Sequence, residues 1–165
     1  MIFTSQGAKV GLPKDEMLYG ALVGCTRQID NVWKPNLKNT YDAPPEQAFQ
    51  FHVLGALGEM AVAKHYDLFW SGALGDYKAH DVGGAQVRTT AKPDGCLIVH
   101  ARDADSDPFI FVVQDKWNFW LRGWILGKDA KQLRFWRTQG VRTPAFFVPQ
   151  DALLPIEELQ LPWRG

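Results

Sequence analysis

One glutamate interrupts a small, apolar stretch of predicted helix. Glu59 shares its helical face with Gly55, Ala56, Val62 and Ala63, which lie three and four residues away on either side. A carboxylate on a buried face requires a partner, because an unpaired buried charge is costly. Two interpretations therefore stay open. Glu59 is either a ligand for a metal ion or a structural residue, which lies at the helix edge or is paired with a nearby Lys or Arg.

An acid, an amide and a cation follow further along the chain. Asp81 precedes the pair Gly83-Gly84, and the predicted strand that starts at Gln86 comes directly after this turn. Gln86 and Arg88 are two residues apart and so point to the same face of that strand, whereas Val87 points into the core. Carboxylate and amide oxygens suit Mg²⁺, and a guanidinium suits phosphate. This spacing is common by chance and is not specific by itself.

The predicted elements that position these residues are helices first and strands afterwards. Leu18, Leu22, Cys25 and Ile29 recur with a helical period. The pattern predicts helices over 15–33 and 46–66, joined by a polar connection over 34–45, and strands over 86–90, 96–101, 109–114, 118–126 and 145–148. The small residues of the second helix indicate that another element or a ligand approaches its backbone. This order predicts an α+β domain with a sheet buried against the N-terminal helices.

Composition limits the class of protein. The chain has 165 residues, 18 basic and 18 acidic side chains and 46% hydrophobic residues, which fits a single globular domain over 1–165 and excludes a disordered chain. We expect no membrane span and no secretory signal, because no apolar run is long enough and the first residues lack the required pattern. Two cysteines without a C-x-x-C spacing favour a reducing compartment, so we predict a cytoplasmic protein.

Common signatures for other chemistries are missing from the sequence. There is no zinc-ligand spacing, no Walker A or G-x-G-x-x-G sequence, and no G-x-S-x-G elbow. The segment from Lys116 to Arg142 holds seven basic residues against one acid, interleaved with aromatic residues, after an acidic loop. Such a segment is typical either of a nucleic-acid surface or of the solvated face of amphipathic strands. The high aromatic content is also compatible with a third function, that of a carbohydrate-binding protein or another protein with an aromatic binding surface.

Taken together, these residues resemble the PD-(D/E)XK nuclease superfamily, with its restriction-endonuclease-like fold. The chain resembles more closely a phage- or prophage-type branch of that superfamily. The matching segments cover 55–64, 81–90, 97–103 and 123–125. The resemblance implies a restriction-endonuclease-like core, in which a mixed central β-sheet is flanked by the N-terminal helices.

The resemblance also implies an activity and a site. Glu59 matches the helical acid, Asp81 the aspartate of the motif, Gln86 its second acid and Arg88 its lysine. These four would be catalytic, and Glu59, Asp81 and Gln86 would hold Mg²⁺ or Mn²⁺ for the hydrolysis of DNA. The resemblance also implies that the protein acts in the cytoplasm, of the host cell if phage-encoded, and that it can form a homodimer. Lys92 and Lys116, in loops next to the same predicted strands, are candidate contacts to the DNA backbone.

Two departures from the family pattern favour an alternative. His80 stands where the motif has proline, and the triplet is Gln-Val-Arg instead of Glu-x-Lys. A neutral Gln86 weakens metal binding, and Arg88 cannot act as a general base because its pKa exceeds about 12. A catalytically weak or inactive nuclease-fold module, which binds nucleic acid or a protein partner, is therefore the second hypothesis.

A second triplet competes for the same role. Pro93-Asp94 is a literal match to the first part of the motif, and Gln114-Asp115-Lys116 closes the apolar strand before it. The simpler interpretation of Pro93-Asp94-Gly95 is a turn between strands. We prefer Asp81, because its surroundings match the family better.

Overall fold

The computed structural model describes residues 7–34, 45–72 and 79–165. It is a mixed α and β structure, so the predicted α+β class is confirmed. The helices are α1 (Lys14–Trp33), α2 (Ala48–His65) and the short α3 (Gly127–Ala130). Most of the predicted connection over 34–45 lies outside the described residues. Within the described ranges, no helix has the length and apolar character needed to cross a membrane.

The strands form two sheets. They are β1 (Ala8–Gly11), β2 (Gln86–Thr90), β3 (Leu97–Val99), β4 (Pro108–Asp115), β5 (Asn118–Leu126), β6 (Trp136–Arg137) and β7 (Ala145–Val148). The larger sheet has the order β1-β5-β4-β2, and the smaller one β3-β7-β6. Strand β2 runs parallel to β4, while every other pairing is antiparallel. The larger sheet is therefore mixed.

Strand β4 lies between two hydrophobic cores, and this explains its continuous apolar sequence. Ile110 and Val112 belong to the core that α2 covers, whereas Phe109, Phe111 and Val113 belong to the core shared with the smaller sheet. A strand that is buried on both faces needs no polar alternation. Val87 of β2 joins the α2 core, as predicted.

Helix α1 packs on α2 through glycines and not through its apolar repeat. A Cβ atom on Gly20 would lie 2.7 Å from the Leu57 side chain, and one on Gly24 would lie 2.5 Å from the backbone of Val53. The repeat residues Leu18 and Leu22 are instead 63% and 65% exposed. The repeat thus predicted the helix correctly, but it does not form the buried face.

At Gly58, a small residue of α2 allows another element to approach the helix backbone closely, as predicted. A Cβ atom on Gly58 would lie 1.8 Å from the Thr89 hydroxyl of β2, so only glycine permits this approach of helix and strand. Gly55, by contrast, has nothing within 4 Å. The close contact at Gly58 fixes β2, and the residues that precede it, against α2.

Candidate functional site

A tight turn fixes Asp81 at the start of β2. Gly83 and Gly84 have φ angles of 56° and 88°, in the left-handed region that glycine adopts without strain. The turn carries the chain back so that the Val87 amide donates a hydrogen bond of 2.7 Å to Asp81 Oδ2. The side chain of Asp81 is consequently anchored beside the first residues of the strand, and 22% of it is exposed.

Arg88 lies between two carboxylates. Its Nη1 is 3.8 Å from Asp81 Oδ2, and its Nη2 is 3.5 Å from Asp103 Oδ2. The guanidinium also stacks on the Phe109 ring, with 5.2 Å between the guanidinium carbon and the ring centroid. Both ion-pair distances exceed those of a tight charge-assisted hydrogen bond, which are about 2.7–2.9 Å. Arg88 is therefore held in place, but neither carboxylate binds it tightly.

Gln86 contacts a different acid on the same side of the sheet. Its Nε2 donates to Asp107 Oδ2 at 3.3 Å, and Asp107 Oδ1 lies 3.0 Å from His80 Nε2. The structure thus brings Asp81 and Arg88 into contact at the start of β2, while Gln86, the first residue of that strand, directs its amide to Asp107. The site is flanked by Asp103 and Asp107, which the sequence argument did not assign. The sequence feature that could have identified these two residues is the acidic loop directly before the buried strand β4.

The charge state of Asp81 reflects this environment. Burial, and after it the charge of Glu59, raise the pKa of Asp81, whereas Arg88, the Val87 amide and Arg27 lower it, and the net result is a pKa of about 7. The Asp81 carboxyl group therefore changes from its protonated to its ionised form near neutral pH. Such perturbed groups are concentrated at functional sites, and they also occur in structural ion-pair networks.

Glu59 is buried and paired with a cation. The side chains of Arg27 and Glu59 form two parallel hydrogen bonds, of 2.8 Å from Nη1 to Oε1 and 2.7 Å from Nη2 to Oε2. Trp70 Nε1 donates to Oε2 at 3.2 Å, and Arg27 also donates to the carbonyl of Gly72. The structure agrees with the paired-acid interpretation of Glu59. The sequence argument missed Arg27 and Trp70, because no local spacing links them to Glu59.

The two candidate DNA contacts lie at the opposite end of the sheet. Lys92 follows the last residue of β2, and Lys116 lies at the tip of the β4–β5 hairpin with φ 57°. Both side chains are exposed. Because β2 has five residues, this end is separated from Asp81 by roughly 13 Å or more along the strand.

The rival triplet occupies that same far end. The Gly95 amide donates 3.0 Å to the Lys92 carbonyl, which confirms a turn at Pro93-Asp94-Gly95. Gln114 Nε2 donates 2.8 Å to the carbonyl of Lys116 across the hairpin tip. These hydrogen bonds stabilise the two turns at this end of the sheet.

The donor set around Asp81 suits a divalent cation with few protein ligands. The described residues contain no group of three or more His, Cys, Asp and Glu side chains close enough to hold a metal ion. Mg²⁺ commonly uses one or two carboxylates and completes its shell with water and substrate phosphate. The Asp81 carboxylate and the Gln86 amide oxygen fit that pattern, whereas both oxygens of Glu59 already accept hydrogen bonds from Arg27.

Comparison with known proteins found no match for this chain among protein-family models, curated proteins or solved structures.

Proposed function

We propose that this protein is a metal-dependent DNA phosphodiesterase, with a restriction-endonuclease-like core and a site around Asp81. The observation that carries the proposal is the contact between Asp81 and Arg88 at the start of β2, the strand that begins with Gln86. A carboxylate and an amide oxygen are suitable ligands for a divalent cation, and a guanidinium can stabilise negative charge on a phosphate.

Asp81 and the Gln86 amide oxygen would hold Mg²⁺ or Mn²⁺. When bound, such an ion lowers the pKa of a coordinated water and polarises the scissile phosphate. Glu59 could join as a third ligand only after giving up Arg27, so we assign it a supporting role, in which its charge acts on Asp81.

Arg88 is the residue that would bind the scissile phosphate. Its contacts to Asp81 and Asp103 are 3.8 Å and 3.5 Å long, and a phosphate with two oxygens can offer shorter, bidentate hydrogen bonds. The guanidinium would remain stacked on Phe109 during this exchange. Arg88 would then stabilise the negative charge that develops on the phosphoryl oxygens.

A second candidate function is a nuclease-fold module without catalysis that binds nucleic acid or a protein. The observation that favours it is the Arg27–Glu59 pair, which neutralises one acid, together with the neutral Gln86. Of the three predicted metal ligands, Asp81 is then the one available carboxylate, and fewer charged ligands bind Mg²⁺ less tightly.

A cleavage assay on linear, supercoiled and branched DNA tests the proposed class. We expect products with Mg²⁺ or Mn²⁺ and none with EDTA. DNA binding without cleavage under any metal condition would favour the inactive module. The absence of both cleavage and binding would overturn the assignment of DNA as the substrate.

A gain-of-function variant distinguishes weak metal binding from a different chemistry. Gln86→Glu restores the family acid, but it also sets two carboxylates near each other, because Gln86 Nε2 is 3.3 Å from Asp107 Oδ2. The double variant Gln86→Glu/Asp107→Asn removes this repulsion. We expect it to cleave at a lower metal concentration than the wild type, and an unchanged metal requirement would count against Gln86 as a ligand.

A further inference from the structure

The outward face of α1 is predominantly apolar from Leu18 to Trp33. The side chains on it are half or more exposed: Leu18 63%, Tyr19 51%, Leu22 65%, Ile29 50%, Val32 63% and Trp33 81%. Single exposed apolar residues are ordinary, but a contiguous patch of this kind marks an interaction surface. We call these six residues, with the half-buried Cys25, the α1 stripe.

Charge is nearly absent from this face. From Met17 to Trp33 the charged residues are Arg27 and Asp30, and Arg27 is turned inward onto Glu59. Between Leu18 and Trp33, a nucleic acid or an acidic peptide would find no outward-facing cation, and Lys14 in the first turn lies beyond the stripe. The chemistry of the stripe therefore fits an apolar helix as its partner.

The spacing of the stripe is symmetric. Leu18, Leu22, Cys25 and Ile29 follow one another at intervals of four, three and four residues, which is the repeat of a coiled-coil seam. The intervals of four, three and four residues are the same whether the helix is followed from its N-terminus or from its C-terminus. Two antiparallel copies of α1 related by a two-fold axis therefore place Leu18 against Ile29, and Leu22 against Cys25 of the partner subunit.

An apolar groove lies where this pairing places the end of the partner helix. The groove has a volume of about 730 Å³ and is lined by residues including Leu12, Pro13, Met17, Leu18, Leu57 and Trp117. In the same register, the partner's Trp33 stands opposite Lys14, at the mouth of this groove. A tryptophan that is 81% exposed in one copy thus faces a pocket of apolar side chains in the other. Buried tryptophans of this kind are frequent centres of binding energy.

We propose that the α1 stripe is the interface of a homodimer, in which antiparallel α1 helices pair and Trp33 of each copy enters the groove of the other. Covering the stripe and the groove would bury on the order of 800 Å² per copy, which is the size of a standard protein interface. This inference is independent of the proposed activity, and its test uses no DNA.

Sedimentation equilibrium over about 1 to 100 µM protein measures the association directly. We expect the wild type to dimerise within this range. Leu22→Glu should raise the dimer Kd by about 100-fold or more, because it buries two charges in each symmetric dimer, and Trp33→Ala should raise it by about tenfold or more. The matched control is Leu133→Glu, the same change at a residue that is 89% exposed and outside the stripe, and it should leave the Kd unchanged.

A cross-link tests the register and does not depend on how Leu22→Glu folds. Leu22→Cys places a thiol against the partner's Cys25, so mild oxidation should give a covalent dimer on a non-reducing gel. Adding Cys25→Ser to that variant should remove the cross-link.

Three results would overturn the proposal. One is a wild type that stays monomeric at every concentration. Another is a dimer that neither Leu22→Glu nor Trp33→Ala weakens. The third is a monomer whose thermal stability falls in Leu22→Glu but not in Leu133→Glu, since this would mean that another part of the same chain covers the stripe.

Discussion

Asp81 is subject to opposing influences: burial and Glu59 favour its protonated form, and Arg88 favours its ionised form. The net effect is a pKa raised to about 7. The ordinary value is 3.8, so the folded protein holds this proton over a pH range in which the unfolded chain has lost it. Stability must therefore fall as pH rises from the unfolded to the folded pKa.

We expect this loss to disappear in Asp81→Asn. An amide oxygen still accepts the hydrogen bond from Val87 but does not titrate. In metal-free buffer with EDTA, the free energy of unfolding of the wild type should decrease relative to that of Asp81→Asn between about pH 4 and pH 7. Urea unfolding at a series of pH values measures the difference. A difference that stays constant over this range would show that Asp81 has an ordinary pKa.

The burial of the Arg27–Glu59 ion pair leads to a second prediction about single residues, which concerns the stability of the fold. The two side chains are 15% and 5% exposed, so removal of one partner leaves a charge that water barely reaches. We expect Arg27→Ala to lower the free energy of unfolding by about 3–5 kcal/mol, and the double variant Arg27→Met/Glu59→Leu to recover most of that loss.

The exposed pair of Lys64 and Glu16 supplies the control for this experiment. Its Nζ–Oε2 distance is also 2.7 Å, but its side chains are 42% and 36% exposed. Lys64→Ala should therefore cost only about 0–1 kcal/mol. Equal losses for the two pairs, measured by denaturant unfolding, would contradict the argument from burial.

Some of the site could be predicted from residue types, and some could not. The turn at Gly83-Gly84 and the two-residue period of a strand were sufficient to place Asp81 and Arg88 together at the start of β2, because these are local rules. The partner of Glu59 depends on how α1 packs against α2. No local rule connects Arg27 to a glutamate in another helix, so the sequence left two interpretations open.

At the scale of elements, glycines decide how α1 and α2 meet. Gly24 allows the α1 backbone to lie directly on α2, since a Cβ atom there would be 2.5 Å from the Cα atom of Val53. Gly24→Ala should force the helices apart and cost about 1–3 kcal/mol. Gly55→Ala is the matched control on α2, where nothing lies within 4 Å, and it should stabilise the helix by about 0.5–1 kcal/mol. Thermal unfolding of both variants tests whether the two changes have opposite signs.

The same glycines determine which face of α1 is buried, and this could not be predicted from the sequence. Hydrophobic periodicity indicates a helix, but it does not show which face another element will cover. Helix α1 buries the side that carries Gly20, Val23, Gly24 and Gln28, so its apolar repeat faces outward.

Strands with strong β-branched and aromatic character were predicted well: β2, β5 and β7 have the expected bounds. Strands β1 and β6 were not predicted, because their sequences, Ala-Lys-Val-Gly and Trp-Arg, contain no run of β-branched or aromatic residues.

At the scale of the whole molecule, the sheet separates Asp81 from the proposed DNA contacts. Lys92 and Lys116 lie at the far end of β2 and β4, so a duplex that reaches both ends must extend along the sheet. If each lysine binds one phosphate, Lys92→Ala/Lys116→Ala should weaken DNA binding and reduce the slope of log K against log salt by about 1.8. Cleavage at saturating DNA should be little changed, because neither residue is near Asp81.

Fluorescence anisotropy at several salt concentrations measures this slope. A pair of basic residues on the smaller sheet provides the comparison: Arg137→Ala/Arg142→Ala changes two exposed arginines in the β6–β7 hairpin and should leave the slope unchanged. An equal decrease in both double variants would mean that DNA binding has no preferred side.

The central claim is that chemistry takes place at Asp81 and not at the rival Pro93-Asp94 motif. The direct test compares the initial rate of Mn²⁺-dependent DNA cleavage by Asp81→Asn and by Asp94→Asn with that of the wild type. Asparagine keeps the hydrogen bond of Asp81 to Val87 and is well suited to the turn at Asp94. We predict that Asp81→Asn reduces the rate by about 100-fold or more, while Asp94→Asn leaves it close to that of the wild type. Full activity in Asp81→Asn, with loss of activity in Asp94→Asn, would contradict this account and move the site to the opposite end of the sheet.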